Sequence, residues 1–253
     1  MSETLGSRIT FGIVAGIARP LLNVLLSKRW EGFEHQPTGG YIACPNHLTE
    51  IDPLVVGHAV YGAGRLPRFL AKESLFKIPV VGMVLRKTRQ IPVARSSKGA
   101  NASLQAAQEL ISNDGVAIVY PEGTLTRDPD LWPMRGRTGA ARLALQTGAP
   151  VVPVAHWGAQ ELLPRYAKKL HVFPRKRVVV RMGPPVDLED LRGKPLTKTV
   201  LLEATDRIMR AVSAEMESLR GETAPAELWD PAAQGQKLTG RDFESGPSGA
   251  APQ

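Results

Sequence analysis

The 253-residue sequence predicts an α/β fold: a mixed, largely parallel sheet flanked by helices, preceded by an N-terminal helical segment that associates with membranes. Two observations predict it. Short apolar runs of strand length alternate with longer segments of helical periodicity through most of the chain. Several of those runs also empty into loops bearing titratable side chains, as expected where ligands sit beyond the carboxyl ends of parallel strands.

The first apolar stretch, residues 9–26, is interrupted by Arg19-Pro20 and Asn23. A spanning helix wants about 20 mostly apolar residues, so this is a poor transmembrane candidate. No small-residue cleavage site follows it, which speaks against a secretory signal. Two readings stay open. It forms two short helices at a bilayer interface, with Arg8, Arg19, Lys28, Arg29 and Trp30 at headgroup level, or an ordinary pair of core-packing helices. The domain division read from the sequence is an apolar helical segment over 1–30, a main α/β domain over 31–220 and a flexible tail over 221–253. The tail is rich in Gly, Pro, Ala and Gln.

Residues 40–43 read as a strand ending at Pro45, and 54–60 as a helix with Asp52 at its N-cap and Pro53 in its first turn. Residues 67–72 read as a strand and 75–85 as an apolar helix broken at Pro79. Residues 89–95 form the next strand, 101–112 a helix stopped by Gly115, and 116–120 a buried strand. A helix over 138–146 ends at Gly148, and strands follow over 150–156 and 176–182. Leu201, Ile208, Val212, Met216 and Leu219 line one face of the last helix.

The formal net charge of +8 points to anionic partners: phosphate-bearing metabolites, an acidic membrane surface or nucleic acid. With 6% aromatic residues and no recognisable binding module, nucleic acid is not a predicted partner. Cys44 is the single cysteine, so neither an intramolecular disulfide nor a cysteine metal cluster is possible. Its place in an apolar run marks it as a small buried hydrophobe.

His47 and Asp52 fall on the strand-to-helix loop at 46–53. On one helix, residues five apart point about 140° away from each other; on a loop they can meet. An imidazole held by a carboxylate at one nitrogen can take a proton from a hydroxyl at the other. A second loop, at 120–127, places Glu122, Gly123 and Thr124 at a strand end, with Arg127 within reach of a phosphate. Read alone, that Glu is simply solvated. Arg86, Lys87, Arg89, Arg95, Arg135 and Arg137 border the same candidate crevice.

These residues resemble the lysophosphatidic acid acyltransferases, within the larger glycerolipid acyltransferase group. Asn46-His47-Leu48-Thr49-Glu50-Ile51-Asp52 is similar to the family's His-x4-Asp block. Residues 90–95 resemble its second block, which ends in an arginine, here Arg95. Tyr120-Pro121-Glu122-Gly123-Thr124 resembles its Pro-Glu-Gly-Thr block, and Val152-Pro153-Val154 its fourth. The third block usually continues Arg-Ser; here Leu125-Thr126 follow and Arg127 comes two places later.

The resemblance implies the glycerolipid acyltransferase fold and acyl transfer to the free hydroxyl of a lysophospholipid, lysophosphatidic acid giving phosphatidic acid. The donor is acyl-CoA or acyl-carrier protein, with no cofactor and no metal. It makes His47 the general base, Asp52 its orienting partner, and Asn46, Arg95, Glu122, Gly123, Thr124 and Arg127 substrate-binding groups. It implies a peripheral or monotopic protein at the cytoplasmic face of the cell membrane. No covalent intermediate is required, and no Gly-x-Ser-x-Gly elbow suggests one. The alternatives are a family member acting on another lysophospholipid or alcohol, and a metal-dependent phosphate-ester hydrolase ligating through His47, Glu50 and Asp52. The other histidines (35, 58, 156 and 171) fall in no metal-ligand spacing.

Overall fold

The computed structural model describes residues 5–94 and 97–237. In chain order its elements are α1 (Leu5–Leu25), β1 (Leu26–Glu31), β2 (Tyr41–Pro45), α2 (Asp52–Gly62), β3 (Pro67–Lys72), α3 (Pro79–Lys87) and β4 (Ile91–Val93). Then come α4 (Ser97–Ser112), β5 (Val116–Ile118), α5 (Gly139–Thr147), β6 (Val151–Trp157), α6 (Ala159–Leu162), β7 (Lys176–Met182) and α7 (Lys198–Arg220). The strands form one seven-stranded sheet in the order β1-β7-β6-β2-β5-β3-β4. All neighbours pair in parallel except β6 and β7, which are antiparallel.

Alternation along β2 divides the core between the two faces of the sheet. Ile42 and Cys44 point to one side, where Ala117 and Val151 meet Ala107 and Ile111 of α4, Leu143 of α5, and Ile208 and Val212 of α7. Tyr41 and Ala43 point to the other, where Ile118, Val152 and Val180 meet Val55, Val56 and Ala59 of α2 and Leu22 of α1. Both faces being covered, the central strands carry near-continuous apolar runs, as parallel sheets do. Cys44 is buried, and burial pushes its thiol pKa up.

Three expectations are corrected. Residues 5–25 form one helix, not two: the chain continues helically through Pro20, whose missing N–H removes a bond to the carbonyl four residues back without ending the helix. Its Gly6–Leu25 portion is long and apolar enough to cross a membrane, by length and composition. Residues 26–31 are not helical but the edge strand β1, in register with β7 from Leu26↔Lys176 to Glu31↔Arg181. The helical segment therefore stops short of residue 30.

The beginning of the expected tail is also folded onto the domain. Trp229 bridges Met134 and accepts a hydrogen bond from Arg135 N at its carbonyl, and Asp230 pairs with Arg135 at 2.5 Å. Residues 238–253 lie outside the described residues.

Candidate active site

β2 sits between β5 and β6, so the loops leaving their carboxyl ends are neighbours. The backbone ladder from β2 to β6 ends near Pro45↔Val154, with Asn46 N donating to Val154 O at 3.3 Å. Beyond it the Asn46 side chain takes over. Its Nδ2 donates to His156 O at 3.1 Å and its Oδ1 accepts from His156 N at 2.9 Å. On the other flank, His47 N donates to Glu122 Oε1 at 2.9 Å, and His47 O accepts from Thr126 N at 2.7 Å. The dipeptide Asn46-His47 is thus clamped between the ends of the two adjacent strands.

The turn that follows brings Asp52 back to His47. Asp52 Oδ2 lies 2.9 Å from His47 Nδ1 and accepts from Leu48 N at 2.6 Å and Thr49 N at 2.8 Å. The helix cap is Ile51, and no side chain caps α2. Asp52 therefore closes the loop behind it and not the helix ahead of it, which corrects its reading as N-cap.

With Nδ1 facing a carboxylate, that nitrogen carries the proton, and Nε2 keeps its lone pair. Nε2 has no hydrogen-bond partner among the described residues, and the His47 side chain is 17% exposed while Asp52 is fully buried. The imidazole stacks on Tyr120, centroids 4.0 Å apart and planes 25° apart, and Tyr120 stacks in turn on Phe69. The Tyr120 hydroxyl is buried, and burial, then the charge of Asp52, raises its pKa.

Of the residues assigned to substrate, the structure brings Asn46, Glu122, Gly123 and Thr124 around His47, but not all facing outward. Asn46 is fully buried, with its amide occupied by His156. Glu122 is 1% exposed; its second oxygen accepts from Met134 N at 3.2 Å. Burial raises the Glu122 pKa to about 8, assisted by Asp52 and opposed by its bonds from Met134, His47 and Thr126. Both side chains brace the loop in this structure.

Arg127 is also buried, at 1% exposure, and Arg95 lies outside the described residues. The exposed arginine beside the second loop is Arg137. Gly123 has φ of 70°, and a Cβ there would come within 2.8 Å of Arg137 Cδ, so this guanidinium stem lies directly across the loop. Thr124 is half-buried next to it.

Sequence reasoning missed His156. Its ring Nε2 is 3.0 Å from Asn46 O and 3.5 Å from Asp52 Oδ2. A histidine near the end of an apolar run was the only signal in the sequence, and it does not say which strand it lies beside. Among the described residues no group of three or more His, Cys, Asp or Glu is placed to hold a metal ion.

This buried carboxylate–imidazole pair sits at the strand ends of an α/β sheet, and the sequence profile of the Acyltransferase family matches residues 28–157, a little over half of the chain. The chain belongs to that family. It is 27% identical over 153 residues to the chloroplastic 1-acyl-sn-glycerol-3-phosphate acyltransferase BAT2 of Brassica napus, covering 59% of this chain and 43% of the relative. Identity is 30% over 158 residues to 1-acyl-sn-glycerol-3-phosphate acyltransferase alpha of Bos taurus, covering 62% and 52%. It is 26% over 183 residues to the Salmonella typhimurium 1-acyl-sn-glycerol-3-phosphate acyltransferase, covering 72% and 70%. The chain thus spans about half the length of the plant and mammalian relatives. The fold is shared with the crystal structure of the 1-acyl-sn-glycerophosphate acyltransferase PlsC from Thermotoga maritima, at TM-score 0.62 and 22% identity over 87% of this chain and 83% of that one.

Proposed function

We propose that the protein transfers a fatty acyl group from acyl-CoA or acyl-carrier protein to the free hydroxyl of lysophosphatidic acid, giving phosphatidic acid. The observation that carries this reading is the 2.9 Å contact between His47 Nδ1 and Asp52 Oδ2, which leaves Nε2 of a partly exposed ring as a base. The relatives' names supply the substrate class.

Nε2 of His47 takes the proton of the acceptor hydroxyl as its oxygen attacks the thioester carbonyl carbon. The buried carboxylate of Asp52 stabilises the imidazolium that forms. Collapse of the tetrahedral intermediate breaks the carbon–sulfur bond, and the imidazolium returns its proton to the leaving thiolate. The acceptor phosphate is met by Arg137, the exposed cation lying across Gly123, with Arg95 at the end of the second block as the other candidate. Arg127, buried beneath the loop, would need a rearrangement to reach it.

The membrane reading rests on α1. Ser7, Phe11 and Leu22 pack on the domain, whereas Ile9, Ile13, Ile17, Leu21 and Val24 form an exposed stripe. Spanning would pull Phe11 and Leu22 off the domain and separate Ser7 from Arg68, whose Nη2 donates to it at 3.1 Å. A helix lying in the interface at the cytoplasmic face keeps both sets of contacts. Ile78, Val80, Val81 and Met83 at α3 add exposed apolar surface, with Lys77, Arg86 and Lys87 beside it.

The test is thiol release by the purified protein with acyl-CoA and a panel of lysophospholipids in micelles. Release dependent on lysophosphatidic acid supports the reading. Release with other acceptors only would move it to another member of the family, and phosphate release without thiol release would favour a hydrolase.

A further inference from the structure

We propose that His156 is a positioning residue for the His47 base: its Nε2–H holds the Asn46 carbonyl and borders the Asp52 carboxylate, fixing the imidazole that does the chemistry. This rests on the acyl-transfer reading for its effect on rate, but not for its effect on the His47 ring.

The geometry defines the tautomer. The groups next to His156 Nε2, Asn46 O at 3.0 Å and Asp52 Oδ2 at 3.5 Å, are both acceptors, so Nε2 carries the proton. Nδ1 is buried without a hydrogen-bond partner, and the whole side chain is inaccessible. Together with the two bonds between the Asn46 amide and the His156 main chain, this ring bond ties residue 46 to His156 through three contacts. Residue 47 inherits that restraint, because its own amide and carbonyl are held from the opposite side by Glu122 and Thr126.

Two imidazoles then face one carboxylate, and only one of them can take a proton during the reaction. Burial, opposed by Asp52 and the Asn46 carbonyl, keeps the His156 pKa below the ordinary value, and a charge on His47 lowers it further. The ring stays neutral and leaves the negative charge of Asp52 to His47. His156 touches neither substrate nor the reacting atoms; it acts through Asn46 and Asp52.

Amide isosteres separate this role from packing. In His156→Gln the side-chain nitrogen falls near the position of Nε2, whereas in His156→Asn it falls near Nδ1 and cannot reach Asn46 O. The Gln variant should keep kcat within a few-fold. The Asn variant should lose about 10-fold to 100-fold in kcat at unchanged KM, by analogy with the loss of a hydrogen-bond partner that orients a metal-bound imidazole. The readout independent of turnover is the proton resonance of the His47 Nδ1–H facing Asp52, expected at low field in the parent and the Gln variant, and shifted or broadened in the Asn variant. If the Asn variant does not fold, His156→Met takes its place with the same expectations. A folded Asn or Met variant with parental kcat and resonance overturns the proposal, as does equal impairment of the Gln and Asn variants. A parent without thiol release but with the same pattern of resonances would refute the acyl-transfer reading and leave the positioning role standing.

Discussion

Asp52 sits in the first turn of α2, yet its carboxylate turns back to His47, with Oδ2 2.9 Å from Nδ1 and within reach of the Leu48 and Thr49 amides. This orientation separates its electrostatic role from helix capping. Asp52→Asn can keep an oxygen toward these donors but removes the charge opposite His47. We expect a loss of about 10²-fold or more in kcat, the scale on which general-base catalysis operates, with a melting temperature within a few degrees of the parent. Asp52→Ala should instead also destabilise, by about 1–3 kcal/mol for each buried amide left without its acceptor. Urea titration of the two variants distinguishes them.

Glu122 makes stability depend on pH. Its folded pKa is raised to about 8 from an ordinary 4.5, chiefly by burial. The contribution of a raised acid is fully present below about pH 4.5 and is lost as pH rises toward 8, because the unfolded chain releases the proton first. Over that window the group should lower unfolding free energy by up to about 1.4 kcal/mol per pH unit. Chemical denaturation between pH 5 and pH 8, compared with Glu122→Gln, reads this difference directly. A parent and variant with parallel pH curves would show that Glu122 is ionised throughout.

Arg137 and Arg127 should part company. Arg137→Ala removes an exposed guanidinium beside Gly123 and should raise the KM for lysophosphatidic acid with little change in kcat. Arg127→Ala empties a buried site and should lower the melting temperature. Steady-state kinetics with a thermal scan on each variant checks both; a KM effect at Arg127 alone would return the phosphate to the buried arginine.

The exposed stripe of α1 should carry membrane binding. Ile13→Glu together with Ile17→Glu places charges on the exposed face of the helix, so the fold should persist while sedimentation with anionic vesicles falls several-fold. Retained sedimentation would assign binding elsewhere, for instance to the apolar surface at α3.

Much of this fold was legible because buried strands announce themselves. β3 and β7 fall where apolar residues are bounded by turn signals, over Pro67–Lys72 and Lys176–Met182. β1 was not legible: Leu26-Ser-Lys-Arg-Trp-Glu has one fully buried side chain and becomes a strand only by pairing with β7. Likewise, residues 229–230 join the domain from a stretch whose composition reads as tail, because a main-chain bridge from Trp229 to Met134 and the Asp230–Arg135 pair escape any average over residues. At the site, the His47–Asp52 pair could be read because five residues on a loop leave few geometries. The inward turn of Asn46 and Glu122 could not, since residue type says nothing about which neighbour claims the side chain. His156 comes from a strand more than a hundred residues away, and only the register of β6 on β2 brings it there.

The most direct measurement is thiol release from acyl-CoA in the presence of lysophosphatidic acid, by the parent and by His47→Ala. The account predicts a fall of about 10²–10⁴-fold in the variant, with the fold retained and the melting temperature lowered by a few degrees at most. A folded His47→Ala protein within a few-fold of the parent would contradict it.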